Sequence, residues 1–225
     1  MDHYLIDFKP YDLVVLDYVG DSWPKATNEA FLAYVENGGG VVVYHAADNA
    51  FPQWKEYNEI IALGGWLGRN QASGPYAYWK DGALFKDYET PGTGGNHGER
   101  RTYPVNCRDT NHPITKGLPS VWMHATDELY DMMRGPANIE TVLYTGYSTI
   151  TKRDEPLIFT VRYGKGRIFH TMLGHIYENQ PLDAVRCVGF RTTFLRGAEW
   201  AATGKVTQVI PKNFPSATEA QMVEE

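Results

Sequence analysis

Two short apolar runs flank a helical stretch near the start of the chain, and this strand–helix–strand unit constrains the possible folds more than any other feature. Tyr11–Tyr18 (YDLVVLDY) is rich in Val and Leu and reads as a buried strand. Trp23-Pro24 opens a helix with Phe31, Leu32 and Val35 at helical spacing, and Gly38-Gly39-Gly40 ends it. Val41–Tyr44 is a second strand, apolar and β-branched up to its closing tyrosine. Strands joined by a crossover helix pair in parallel with a right-handed connection, and a parallel sheet needs helices over its faces. An α/β fold with a mainly parallel sheet follows, with residues 11–18, 41–44 and 167–173 as neighbouring or near-neighbouring strands.

Downstream, Phe51–Ala62 has helical spacing with an aromatic cast (Trp54, Tyr57), and Gly64-Gly65 stops it. Residues 66–100 show little periodicity, and Pro91–Gly98 (PGTGGNHG) reads as an irregular loop of the kind that is usually functional or mobile. Further strands are expected at Tyr103–Cys107, Thr141–Tyr144, Leu157–Arg162 and Arg167–Leu173, with a hairpin turn at Tyr163-Gly164-Lys165-Gly166. Ala184–Ala202 reads as one long final helix. There is no linker and no repeat, so residues 1–210 form a single domain and 211–225, rich in Ser, Ala and Glu, a flexible tail.

Composition narrows the function classes. A net charge of −6 from 27 acidic and 21 basic residues argues against a nucleic-acid partner. No apolar run has the ~18 residues of a membrane span, and the opening MDHYLIDFKP is not patterned as a secretory signal. Two cysteines, Cys107 and Cys187, are too few for a disulfide framework, so a reducing, cytoplasmic setting is the expectation.

Ligands of open parallel sheets bind beyond the carboxyl ends of the strands. Two strand ends place a histidine there: Val41–Tyr44 runs into His45, and Phe169–Leu173 runs through Gly174 into His175. After His45 come small residues suited to a tight turn, with Asp48 or Asn49 as a cap. Trp122–Tyr130 (WMHATDELY) packs Trp122, His124, Asp127, Glu128 and Tyr130, a metal- or proton-competent set, into nine residues; an extended chain puts Trp122 and His124 on one face, a helix His124 and Glu128. The plainer readings are a turn-bonded histidine in each case, an N-cap role for Asp127 beside a solvated Glu128, and a sheet-face position for His170. No G-x-S-x-G or G-x-C-x-G elbow occurs, and the glycines of 92–98 lack the strand and helix of a dinucleotide loop.

The stretch 38–69 (GGGVVVYHAADNAFPQWKEYNEIIALGGWLGR), continued by 111–130, 163–175 and 197–206, resembles the trehalose-utilisation, ThuA-like family over nearly the whole chain. That family is similar in fold to class I glutamine amidotransferases, so the resemblance implies a flavodoxin-like three-layer sandwich, here expected without its usual first strand and helix. The His45 turn stands where an amidotransferase would carry its cysteine elbow; that cysteine is absent, so glutamine hydrolysis is not implied. The implied function is sugar metabolism: an enzyme acting on a trehalose-like disaccharide or its keto form by hydrolysis, elimination or isomerisation. The alternative is a non-catalytic carbohydrate-binding or degenerate amidotransferase-like module. His45, His175, Glu128 and Asp127 are the candidate catalytic residues. Asn49, Trp54, Tyr57, Trp66, Arg69, His97 and His124 are candidate sugar contacts. A zinc-like divalent metal is a candidate cofactor, with His45, His175 and His124 as its candidate ligands. The expected partner is a small-molecule sugar, and a homo-oligomer is a candidate assembly.

Overall fold

The computed structural model describes residues 4–223. In chain order, β1 (Leu13–Leu16), α1 (Lys25–Glu36), β2 (Gly40–Tyr44) and α2 (Lys55–Ile61) come first. The central part holds β3 (Tyr76–Lys80), β4 (Ala83–Asp87), β5 (Asn96–His97), β6 (Arg101–Cys107), β7 (Val121–Asp127) and β8 (Tyr130–Asp131). The chain then forms β9 (Ile139–Tyr147), β10 (Asp154–Tyr163), β11 (Gly166–Thr171), α3 (Asp183–Arg186) and α4 (Val188–Thr203).

One large sheet runs β1-β2-β11-β10-β9-β6-β7, with the β3–β4 hairpin attached to β10, and a small β5–β8 pair stands apart. The three strands expected to be neighbours are so, and in parallel: Val14 pairs with Val41, and Val41 with Ile168. Val41, Val42 and Val43 are fully buried because β2 lies between β1 and β11, in the part of the sheet that the helices cover. On β11, Phe169 faces α4, where a side chain at Gly197 would meet its ring at 2.4 Å. His170 faces the other way and its Nδ1 donates to Ile61 O at the end of α2 (2.8 Å).

A mainly parallel sheet is nevertheless not what forms. Among the described residues only the β1–β2 and β2–β11 pairings are parallel; β11–β10, β10–β9, β9–β6 and β6–β7 are antiparallel. The Tyr163–Gly166 turn, read correctly as a hairpin, is where the sheet changes sense. The molecule is thus an α/β protein with a curled, mixed sheet. Residues 66–100, whose sequence shows little periodicity, contain β3, β4 and β5, the last within the stretch Pro91–Gly98 expected as an irregular loop. The expected final helix is broken at Cys187, whose ψ of 123° is extended and separates α3 from α4. The described part of the expected tail is held in place: Met123 N donates to Ser216 O, Val188 N to Gln221 O and Val223 N to Arg186 O. β1 pairs with β2 alone among the described residues and leaves Tyr11, Val15 and Val19 exposed. No helix of the described residues is long and apolar enough to cross a membrane.

Candidate active site

Three strand ends meet at one place. β2 ends in His45, which adopts a left-handed backbone (φ 45°) and turns the chain into the short 3-10 segment His45–Asn49. For a non-glycine residue that conformation costs about 1–2 kcal/mol, and it aims the imidazole back over the strand ends. β11 ends at Thr171 and reaches His175 through Gly174, whose φ is 98°. β7 ends at Asp127, and Glu128 follows it.

β7 and β11 are far apart in the strand order, and the curl of the sheet brings their ends together through Asp127. Its Oδ2 accepts from Gly174 N (2.7 Å) and its Oδ1 from His175 N (3.2 Å) and Glu128 N (2.8 Å). His124 Nε2 donates to Oδ2 (2.8 Å). Burial pushes the Asp127 carboxyl up, but the bond and charge of His124 outweigh it and hold the group below the usual carboxylate range. Burial works against the His124 imidazolium too, yet Asp127, together with Cys187, raises it to about 9. The pair is therefore ionic, and β7, not a helix, carries it.

His45, Glu128 and His175 face one another above this clasp. The His45 and His175 rings stack with centroids 4.5 Å apart. His175 Nδ1 lies 2.6 Å from Glu128 Oε2, yet off the line of a hydrogen bond. One donor atom from each of the three residues falls within 4.8 Å of the others, a spacing open to a cation as well as to proton transfer. Tyr130 Oη lies 3.3 Å from His45 Nδ1, while His45 Nε2 is buried without a partner. Burial, with the neighbouring His175, outweighs the Asp127 and Glu128 charges and lowers His45 to about 4, so its ring is neutral near pH 7. On the open side, His97 Nε2 is 3.8 Å from Glu128 Oε2, Trp66 packs on Tyr130 at 4.7 Å, and Tyr177 packs on His175 at 4.6 Å.

The other sequence-derived candidates separate into rim and framework. Trp66 and His97 are on the rim. Asp127 and His124 are buried beneath the centre and present no free face to a cleft. Arg69, expected to touch sugar, is 1% exposed and donates to the carbonyls of Asn49, Ala50 and Gly65, tying down the turn after His45. Tyr57 is buried with its hydroxyl on Ala47 O, and Trp54 stacks on it within an aromatic cluster of Trp23, Phe31 and Phe51. Both pack the core. Asn49 is half-buried beside the centre, its carbonyl taken by Arg69. Sequence reasoning set Tyr130 in the WMHATDELY group without giving it a role, and missed Tyr177, which lies two residues from His175, the distance at which side chains on an extended segment share a face.

An α/β protein that presents a His–Glu–His centre where parallel strands end beside a curled antiparallel extension is the class defined here. The chain belongs to the trehalose-utilisation (ThuA) family, whose pattern matches residues 6–201. A ThuA-like protein of Parabacteroides merdae ATCC 43184 is 59% identical, with a TM-score of 0.97 over 99% of this chain and 81% of its own. A ThuA-like protein of Bacteroides uniformis ATCC 8492 is 19% identical, with a TM-score of 0.55 over 88% of this chain and 71% of its own, and shares the fold. Comparison with curated proteins gives no match.

Proposed function

We propose that the protein is an enzyme of sugar metabolism that acts on a trehalose-like disaccharide or its keto derivative at the His45–Glu128–His175 centre. The 2.6 Å approach of His175 Nδ1 to Glu128 Oε2 carries this reading. A carboxylate against an imidazole is a base beside the group that orients it. Elimination and isomerisation of a keto sugar both begin by removing a proton from the carbon next to the carbonyl, and hydrolysis begins by activating water; the same pair serves any of the three. The family description, trehalose utilisation, supplies the substrate class. Trp66 and Tyr177 offer ring faces at the rim, which suit the apolar face of a pyranose.

The test is incubation of the purified protein with trehalose, 3-keto-trehalose and related disaccharides, followed by NMR in H2O and in D2O. Conversion of one substrate is expected, with deuterium entering beside the carbonyl where the reaction is elimination or isomerisation. Glu128→Gln and His175→Ala should each lower the rate about 100-fold or more. Sugar binding without turnover would replace the enzyme by the binding module, and neither binding nor turnover would remove the sugar reading.

A further inference from the structure

We infer that His45, Glu128 and His175 are the protein ligands of one divalent first-row transition-metal ion, with the open coordination side toward His97 and Trp66. The inference stands without the sugar reading; with an ion bound, Glu128 and His175 would hold it as ligands, and the ion rather than their pair would activate water or polarise a carbonyl. Its first support is convergence: one donor atom of each residue lies within 4.8 Å of the other two. Donors held ~2.0–2.2 Å from a tetrahedral ion stand about 3.4 Å apart, so only small side-chain rotations separate this geometry from a bound one. The second support is the state of the donors. His45 Nε2 is a buried ring nitrogen with nothing to bond, a costly arrangement unless something occupies its lone pair. His175 Nδ1 and Glu128 Oε2 are close but not aligned on each other, as two donors aimed at a shared third point would be.

The surroundings supply what a metal site needs beyond its ligands. With Nε2 as donor, His45 Nδ1 carries the proton and donates to Tyr130 Oη, which fixes tautomer and ring orientation. Glu128 is anchored at both backbone ends, its N–H on Asp127 Oδ1 and its carbonyl accepting from Tyr103 Oη at 2.9 Å. The His175 N–H is held by the same Asp127 oxygen. Two imidazoles and a carboxylate suit zinc and its neighbours, and three protein ligands leave a position for water or substrate. His97, whose side chain is 39% exposed and whose Nε2 lies 3.8 Å from Glu128 Oε2, stands on the solvent side of that position. His124, the other candidate ligand from the sequence, is fully buried and committed to Asp127.

Calorimetric titration of the chelator-stripped, tag-free chain with Zn2+, repeated with Co2+ and read by visible absorption, tests the assignment. One ion per chain is expected, with a rise in Tm. Glu128→Gln and His175→Ala should each weaken zinc about 100-fold or more, while His112→Ala, a histidine away from the centre, should change it less than about twofold. Glu128→Gln is nearly isosteric, so it remains informative if His175→Ala fails to fold. Absence of stoichiometric binding to the folded parent, or binding that survives both ligand substitutions, would overturn the site. Sugar turnover is scored separately. Zinc bound without turnover removes the functional reading and leaves this one, and turnover by zinc-free protein that binds no zinc does the reverse.

Discussion

At Asp127 one carboxylate takes four donors, from His124 Nε2 and from the backbone N–H groups of Glu128, Gly174 and His175. Both residues that flank the open side of the centre thus owe their backbone position to a group that never touches the cleft. An asparagine there would keep the shape, but whichever way its amide turned, its NH2 would face donors already in place. Breaking a buried pair of this kind typically costs 3–5 kcal/mol. Asp127→Asn should lose about that much in urea unfolding, and zinc and sugar binding with it. A loss under about 1 kcal/mol would mean that Asp127 does not clasp the two strand ends. The sequence placed Asp127 among the catalytic groups because it sits beside Glu128 in WMHATDELY. Adjacent residues are legible as a motif; which of them turns toward a partner 47 positions away is not, because that partner is set by the curl of the sheet.

Among the elements, the β1–β2–β11 neighbourhood and the β10–β11 hairpin were legible, and the antiparallel pairings beyond β10 were not. Two apolar runs around a helix specify β1, α1 and β2, and Tyr163–Gly166 specifies the hairpin. β10 misleads because Glu155–Val161 is buried without alternation. A strand covered on both faces looks the same whether its neighbours run with it or against it. The break at Cys187 is hidden for a similar reason, since no Gly or Pro marks it and tertiary bonds from Gln221 and Val223 take its place. The link from β11 to His175 rests on Gly174, where φ is 98° and an added Cβ would meet the Phe190 ring at 2.5 Å and Tyr44 at 3.0 Å. Gly174→Ala should cost about 1–3 kcal/mol from the clash, beyond the backbone term, and should displace His175. Gly68→Ala isolates the backbone term, because its φ is also positive (85°) while nothing lies within 4 Å of the added carbon. Thermal melts and zinc titrations of the two variants decide the matter: equal losses of stability and intact zinc binding in Gly174→Ala would show that the Phe190 contact does not position the histidine.

For the whole molecule, the family and the α/β class were legible, since the matching segments run from one end of the sheet to the other. The buried acid that shapes its pH response was not, because Glu155 lies at the head of an apolar strand and carries no motif. Burial lifts this carboxyl from an ordinary 4.5 to about 8. Asp131 and Asp154 add to the rise, while the Thr151 hydroxyl, donating to Oε1 at 2.7 Å, and Arg153 oppose it. Between those two values the folded chain holds a proton that the unfolded chain releases. The resulting stability is complete below pH 4.5, falls as pH rises, and is gone above about pH 8. The full span amounts to roughly 4–5 kcal/mol. Glutamine keeps the carbonyl acceptor for Thr151 and does not titrate, so Glu155→Gln should gain on the parent protein by most of that amount between pH 5 and pH 8.5. The comparison is made on urea unfolding free energies at each pH. Titrations common to both proteins, the buried His45 and His124 included, cancel in the difference. A parent-minus-variant difference that stays constant across this range would show that Glu155 is ionised in the folded protein, and its burial would then need a cationic partner that Arg153, 26% exposed and bound to Asp87, does not supply.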